Sequence, residues 1–275
     1  MSATPAWPPR SAPRLFVAPT LSLGEQHVLD GPQAHYLGRV MRVSAGDAVI
    51  LCDDATGEWA ARVVSATKRE VVLEIAELLR PREDVPDFTL CPALLKKPRF
   101  DQVLEKATEL GAAKIRPVIT RRCVADALNM ERARSVVTEA AEQCARTALP
   151  RLFEPVPLRE LLRTWPQDAV LWFADEEAAS GESAVPPAAN AFPGRSPPAG
   201  LLIGPEGGFD DVERGDVRAL AQAQPVSLGP RILRAETAAI AGTALWMGTM
   251  GDWAVSHGDR KSSGIAAPVG LTGAP

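Results

Sequence analysis

Apolar residues recur along this chain with two different periods. Between residues 14 and 80 they form short runs, at 14–17, 48–51, 59–67 and 71–78, parted by turn signals at 45–47 and 53–57. Runs of that length predict β-strands, and their spacing predicts a small β-barrel. From residue 88 onward, strand-length runs at 88–95, 115–119 and 169–174 alternate with helical stripes. Phe100, Val103, Leu104, Ala107 and Leu110 mark one helix face, and Gly111 stands where a C-cap would. Ala133, Val136, Val137, Ala140, Ala141, Cys144 and Ala148 mark another, with Ser135, Glu139, Glu142 and Arg146 on its polar side. Strand–helix alternation predicts an α/β fold with a mostly parallel sheet covered by helices.

Two further strands close the pattern, and each runs into a glycine-bearing loop. The first is Leu201-Leu-Ile-Gly-Pro-Glu-Gly-Gly-Phe209; Asp210 with Glu213 three residues on predicts a capped helix start. The second strand, at 225–228, leads into Ser227-Leu-Gly-Pro-Arg-Ile-Leu-Arg-Ala-Glu-Thr237. After Glu236 no charge appears until the helix at 235–250 has ended, so that helix is expected to be buried on every side, in a deep core or a subunit interface. Loops of this kind offer backbone N–H and C=O groups to a small ligand, and two in succession predict one pocket at neighbouring strand ends. No Lys follows the glycines, and Glu206 would repel phosphate, so neither a P-loop nor a dinucleotide loop fits.

The same reading divides the chain into a disordered tail over 1–13, a β-domain over 14–80, a charged linker over 81–87, an α/β domain over 88–251 and a tail over 252–275. Residues 182–199, rich in Pro, Ala, Ser and Gly, are expected to be a flexible insertion beside the pocket.

Charge refines this picture. The net charge of −4 argues against a uniformly basic nucleic-acid binder. Between Lys96 and Arg122, however, eight Lys and Arg face three acids, a local excess able to hold an RNA backbone. Cys52, Cys91, Cys123 and Cys144 form no C-x-x-C pair, and the three histidines are scattered, so no metal site is expected; Cys144 reads as a core residue. The N-terminus lacks a signal pattern, which makes a cytoplasmic location the expectation.

The two loops together resemble the cofactor-binding motifs of the SPOUT (α/β-knot) methyltransferases, and most closely those of the ribosomal RNA small-subunit methyltransferase E family. The segments 93–111, 139–146 and 35–42 resemble it too, and the likeness spans 14 to about 251. It implies a PUA-like RNA-binding domain before a trefoil-knot domain, a homodimer, S-adenosylmethionine as cofactor, and methylation of N3 of a uridine in 16S rRNA. A knotted enzyme acting on a ribose 2′-OH, or an RNA-binding module without catalysis, are the alternatives. Implied cofactor contacts are Phe173, Ala174, Ile203, Gly204, Pro205, Glu206, Gly207, Gly208, Leu228, Gly229, Arg234 and Thr237, with Ile232 and Leu233 packed on the adenine. Candidate RNA contacts are Arg39, Arg42, Lys96, Lys97, Arg99, Glu142 and Arg146. By position, Arg234 could hold a uracil oxygen as charge develops, and Glu236 could take the N3 proton, directly or through water. The plainer readings are a first-turn acid on a helix dipole for Glu236 and, for Arg234, a salt bridge with an acid on the facing subunit.

Overall fold

The computed structural model describes residues 7–175, 185–194 and 197–254. Five strands build the first half: β1 (Arg14–Phe16), β2 (Gln26–Asp30), β3 (Ala48–Cys52), β4 (Gly57–Ala66) and β5 (Glu70–Pro81). They form one sheet in the order β1-β3-β4-β5-β2, with β1 parallel to β3 and the other pairs antiparallel. Its core is Leu37, Val49, Leu51, Val71, Leu73 and Ile75. Strand β2 escapes the hydrophobic pattern because only Leu29 in it is fully buried, as suits an edge strand. The short helix α1 (Gly31–His35) continues into a π-helical turn, Tyr36–Met41.

The second half alternates strands and helices: β6 (Phe88–Pro92), α2 (Lys97–Glu109), β7 (Lys114–Ile115), β8 (Val118–Ile119), α3 (Met130–Cys144), β9 (Arg151–Leu152), β10 (Val156–Pro157), α4 (Leu158–Arg163), β11 (Val170–Ala174), α5 (Ala188–Ala191), β12 (Ala199–Ile203), α6 (Asp211–Ala219), β13 (Ala223–Val226) and α7 (Ala235–Thr249). Six strands make a sheet in the order β13-β11-β12-β6-β7-β9, and every pairing in it is parallel. The strand expected at 115–119 is split: Arg116 and Pro117 part β7 from β8, which pairs instead with β10. Proline cannot donate to a ladder, which explains the break.

Two expectations need correction. The segment 182–199, read as a flexible loop, holds α5 and a 3₁₀ turn, Phe192–Gly194, and Phe192 is fully buried beside Trp172. Helix α7 is apolar throughout, and a single chain covers part of it, which the subunit-interface expectation allows: Trp246 stacks on Phe88, with ring centroids 4.5 Å apart, while Thr237, Ala241 and Gly248 are exposed. Gly242 lets α7 lie close to β12, because a Cβ there would collide with Leu201. Cys144, placed in the core by its stripe, is exposed at the end of α3. Part of the N-terminal tail is also engaged: Trp7 lies under the Arg62 guanidinium and the Pro13 carbonyl accepts from Ile50 N–H. Residues 1–6 and 255–275 lie outside the described residues.

The segment 81–87 is pinned between the halves. Glu83 accepts the backbone N–H groups of Thr147 and Ala148, at 2.8 and 3.1 Å, and donates its own N–H to the Thr147 hydroxyl at 2.8 Å. Glu58 pairs with both Arg14 and Arg80, and Arg80 also donates to the Ala145 carbonyl.

Candidate active site

The chain from β6 passes outward through β7 and β9, then returns to β11 on the other side, so the direction of strand order reverses beside β12. In open parallel sheets that reversal leaves a crevice at the carboxyl ends of the strands. Here the crevice is a cavity of about 410 Å³, within the range of small-molecule sites.

Three strand ends build it. Strand β12 runs into Gly204–Phe209, where Gly208 has φ +66° and donates its N–H to the Pro205 carbonyl at 2.9 Å. Helix α6 then starts with a capping box: Asp210 accepts the Glu213 N–H at 2.7 Å, and Glu213 accepts the Asp210 N–H at 3.4 Å. Strand β13 runs into 227–234, where Gly229 has φ +116° and donates to the Ser227 hydroxyl at 3.2 Å. Strand β11 contributes Ala174 and Asp175.

Of the residues tied to a cofactor by sequence, Ala174, Ile203, Gly204, Pro205, Glu206, Gly208, Leu228, Gly229, Ile232, Leu233 and Arg234 line the cavity. Three do not. Phe173 is fully buried in the core on the far side of the sheet, Gly207 is backed by the Arg122 side chain, and Thr237 points from the open face of α7. Asp175, Ser227 and Arg231 line the cavity and were missed. Asp175 carried a usable signal, being the first polar residue after an apolar strand. Its carboxylate is covered and held by Arg218 at 2.6 Å, with Arg214 at 3.4 Å.

The basic segment divides into two uses. Arg121 pairs with Asp210 at 3.0 Å, and Arg122 donates to the carbonyls of Gly207 and Phe209 at 2.8 and 3.3 Å, so both brace the glycine loop. Arg99 reaches the cavity itself, with Nη1 3.1 Å from Glu206 Oε1 and Nε 3.6 Å from Glu236 Oε1. Glu236 is buried in the first turn of α7, its Oε2 has no hydrogen-bond partner among the described residues, and it does not line the cavity. Lys96 and Lys97 remain exposed at the start of α2, over a second hollow of about 340 Å³ that Leu94, Leu95 and Phe100 help to line.

The remaining RNA candidates separate by exposure. Arg39 and Arg42 are exposed on the π-helical turn. Glu142 and Arg146 turn inward, which corrects their placement on an RNA-facing surface. Glu142 accepts the Phe16 N–H at 2.8 Å, and burial raises its carboxyl above the usual range. Arg146 lies beyond α3, only 6% exposed, and donates to the carbonyls of Thr108 and Ala112 at 2.8 and 3.1 Å. Helix α3 ends at Cys144 with a left-handed Ala145 (φ +61°), so the helical face that would have carried Arg146 outward stops short of it.

Comparison with known proteins adds to this geometry. A sequence model described as an RNA methyltransferase domain matches residues 82–247, and one described as an RNA methyltransferase PUA domain matches 29–76. The chain is 33% identical to ribosomal RNA small subunit methyltransferase E of Synechocystis, over 82% of this chain and 74% of that one. It is 31% identical to the Bacillus subtilis protein of the same name, over 80% and 87%. Among solved structures, it matches a putative methyltransferase from Legionella pneumophila with bound SAM (TM-score 0.79, 28% identity, 88% of this chain and 99% of that one). It also matches ribosomal RNA small subunit methyltransferase E from Neisseria gonorrhoeae bound to S-adenosyl methionine (TM-score 0.77, 28% identity, 88% and 99%).

Proposed function

The chain belongs to the ribosomal RNA small subunit methyltransferase E family, and on that footing we propose that it transfers a methyl group from S-adenosylmethionine to N3 of a uridine in 16S rRNA. The observation that carries the reading is the cavity built from two successive glycine loops at the reversal point of the sheet. Its residues suit the cofactor: Ile203, Leu228 and Leu233 offer apolar walls for a flat ring. Glycines with positive φ present the backbone without a Cβ in the way.

When bound, S-adenosylmethionine supplies a methyl group on a sulfonium, with a neutral thioether as the leaving group. The chain must hold uridine N3 in line with that methyl, and alignment of this kind is worth about 7–11 kcal/mol in the best model systems. Arg234 lines the cavity and holds a uracil oxygen as charge develops on the ring. Glu236 stands behind Arg99, a position that supports a role in holding the guanidinium over direct proton abstraction. The RNA approaches over Lys96 and Lys97, with Arg39 and Arg42 as further phosphate contacts. A second copy of the chain covers the exposed stripe of α7, giving a homodimer, and the rRNA substrate places the reaction in the cytoplasm. Among the described residues no helix is long and apolar enough to cross a membrane.

Incubating the protein with S-adenosylmethionine and unmethylated small-subunit rRNA, then digesting the RNA to nucleosides, is expected to yield N3-methyluridine by mass spectrometry. A 2′-O-methyl nucleoside instead would move the chemistry to the ribose, and no methylated nucleoside would reject the reading.

A further inference from the structure

Three guanidiniums line the cavity, those of Arg99, Arg231 and Arg234. Among the described residues two carboxylates line it with them, and each is already engaged: Glu206 by Arg99, and Asp175 by Arg218 and Arg214. Among the described residues that line it there is no His, Lys, Cys or Tyr. A general base must come within hydrogen-bond reach of the proton it removes. Among the described residues the carboxylate with an unpartnered oxygen nearest to the cavity, Glu236, is buried behind Arg99 and outside the lining, while three guanidiniums stand in the lining itself.

We infer that Arg99 and Arg234 bind the N3-deprotonated uridine, so that the site works by selecting the anion and not by pulling off the proton with a dedicated base. The inference deepens the proposed methyl transfer and rests on it. The N3–H bond breaks with the proton going to solvent. The N3 lone pair then forms the new bond to the methyl carbon, and the electrons of the broken C–S bond stay on sulfur as the neutral thioether. One positive and one negative charge disappear together, which a water-poor cavity favours.

Arg99 is the better placed of the two cations. Glu206, from the loop after β12, engages its Nη1, and Glu236, from α7, faces its Nε. Those contacts leave Nη2 without a protein acceptor among the described residues. On its own helix the nearest acid, Asp101, is taken by Arg132 at 2.8 Å, and Lys96 and Lys97 add only like charge. Glu206 and Glu236 are therefore positioning residues that aim the guanidinium fork, whose rigid geometry suits a planar oxygen-bearing anion.

The test is steady-state methylation of small-subunit rRNA across pH, with wild type, Arg99→Ala, Arg99→Lys and Glu236→Gln, beside calorimetric binding of S-adenosylhomocysteine. Near neutral pH Arg99→Ala is expected to be about 100-fold slower, with the loss in kcat more than in KM. That gap should close as pH rises, because uridine then ionises without the guanidinium. Arg99→Lys should recover about tenfold, and Glu236→Gln should stay within about tenfold of wild type, since it misaims a cation but removes no base. Affinity for S-adenosylhomocysteine should hold within about threefold throughout, which shows the cofactor cavity intact. A wild-type to Arg99→Ala ratio that does not change with pH overturns the inference, as does loss of turnover in Glu236→Gln alone. A wild type that makes no N3-methyluridine removes the functional reading as well, and so the two failures are told apart.

Discussion

Gly208 shows how much a single position carries. Its φ of +66° lies where β-branched residues are strained, and it turns the loop that lines the cavity. Gly208→Val is expected to lower affinity for S-adenosylmethionine at least about tenfold while the protein still unfolds cooperatively, a loss that a ligand-induced thermal shift will report. Asp53 bears on stability in place of chemistry. Burial opposes its ionisation, but the Thr56 hydroxyl and the N–H groups of Leu21, Ala55 and Thr56 outweigh that and hold its pKa at about 2, against an ordinary 3.8. An acid held low contributes stability above its unfolded value, and this is lost as pH falls from 3.8 toward about 2. Asp53→Asn should cost about 1–3 kcal/mol at neutral pH by urea unfolding, and its stability should fall less steeply than that of wild type across that acid range. Residue-scale features that are local were legible in the sequence: the Asp210–Glu213 capping box needs only a spacing of three. The sequence marks Arg99 only as an RNA contact, because its acidic partners lie 107 and 137 positions away, a pairing that no local pattern encodes.

At the scale of elements, hydrophobic period located most of the sheet and missed where packing overrides composition. The runs at 88–95, 169–174 and 201–203 overlap β6, β11 and β12, since strands buried on both faces read as continuous apolar stretches. The segment holding α5 failed the same test: its Pro, Ala and Gly content signals a loop, yet one aromatic residue, Phe192, anchors it in the core beside Trp172. The sequence marks helix α7 as apolar, for a core or a subunit interface, but not which of its sides one chain leaves open, because a stretch without charges shows no preferred side. Its contact with β12 depends on Gly242. Gly242→Ala should therefore destabilise by about 1–3 kcal/mol through overpacking against Leu201, although alanine is the better helix former. Equilibrium unfolding in urea reads this directly; a stabilised variant would contradict the close approach.

At the scale of the whole molecule, the two halves are joined by charged groups more than by a flexible linker. Arg146 donates to Thr108 and Ala112 and lies 3.7 Å from Glu83, which in turn holds Thr147 and Ala148. Arg146→Ala takes the guanidinium donor from both carbonyls, of which Thr108 keeps the Gly111 N–H, and should cost about 2–3 kcal/mol. If Arg146 served RNA instead, the same variant would keep its unfolding midpoint and lose RNA affinity alone.

Methyl transfer by this molecule requires that the loops after β12 and β13 enclose the methyl donor. Titrating the folded protein with S-adenosylhomocysteine in a calorimeter tests this most directly. Saturable heat at one site per chain is the predicted result; well-folded protein that gives no binding heat at any accessible temperature would contradict it.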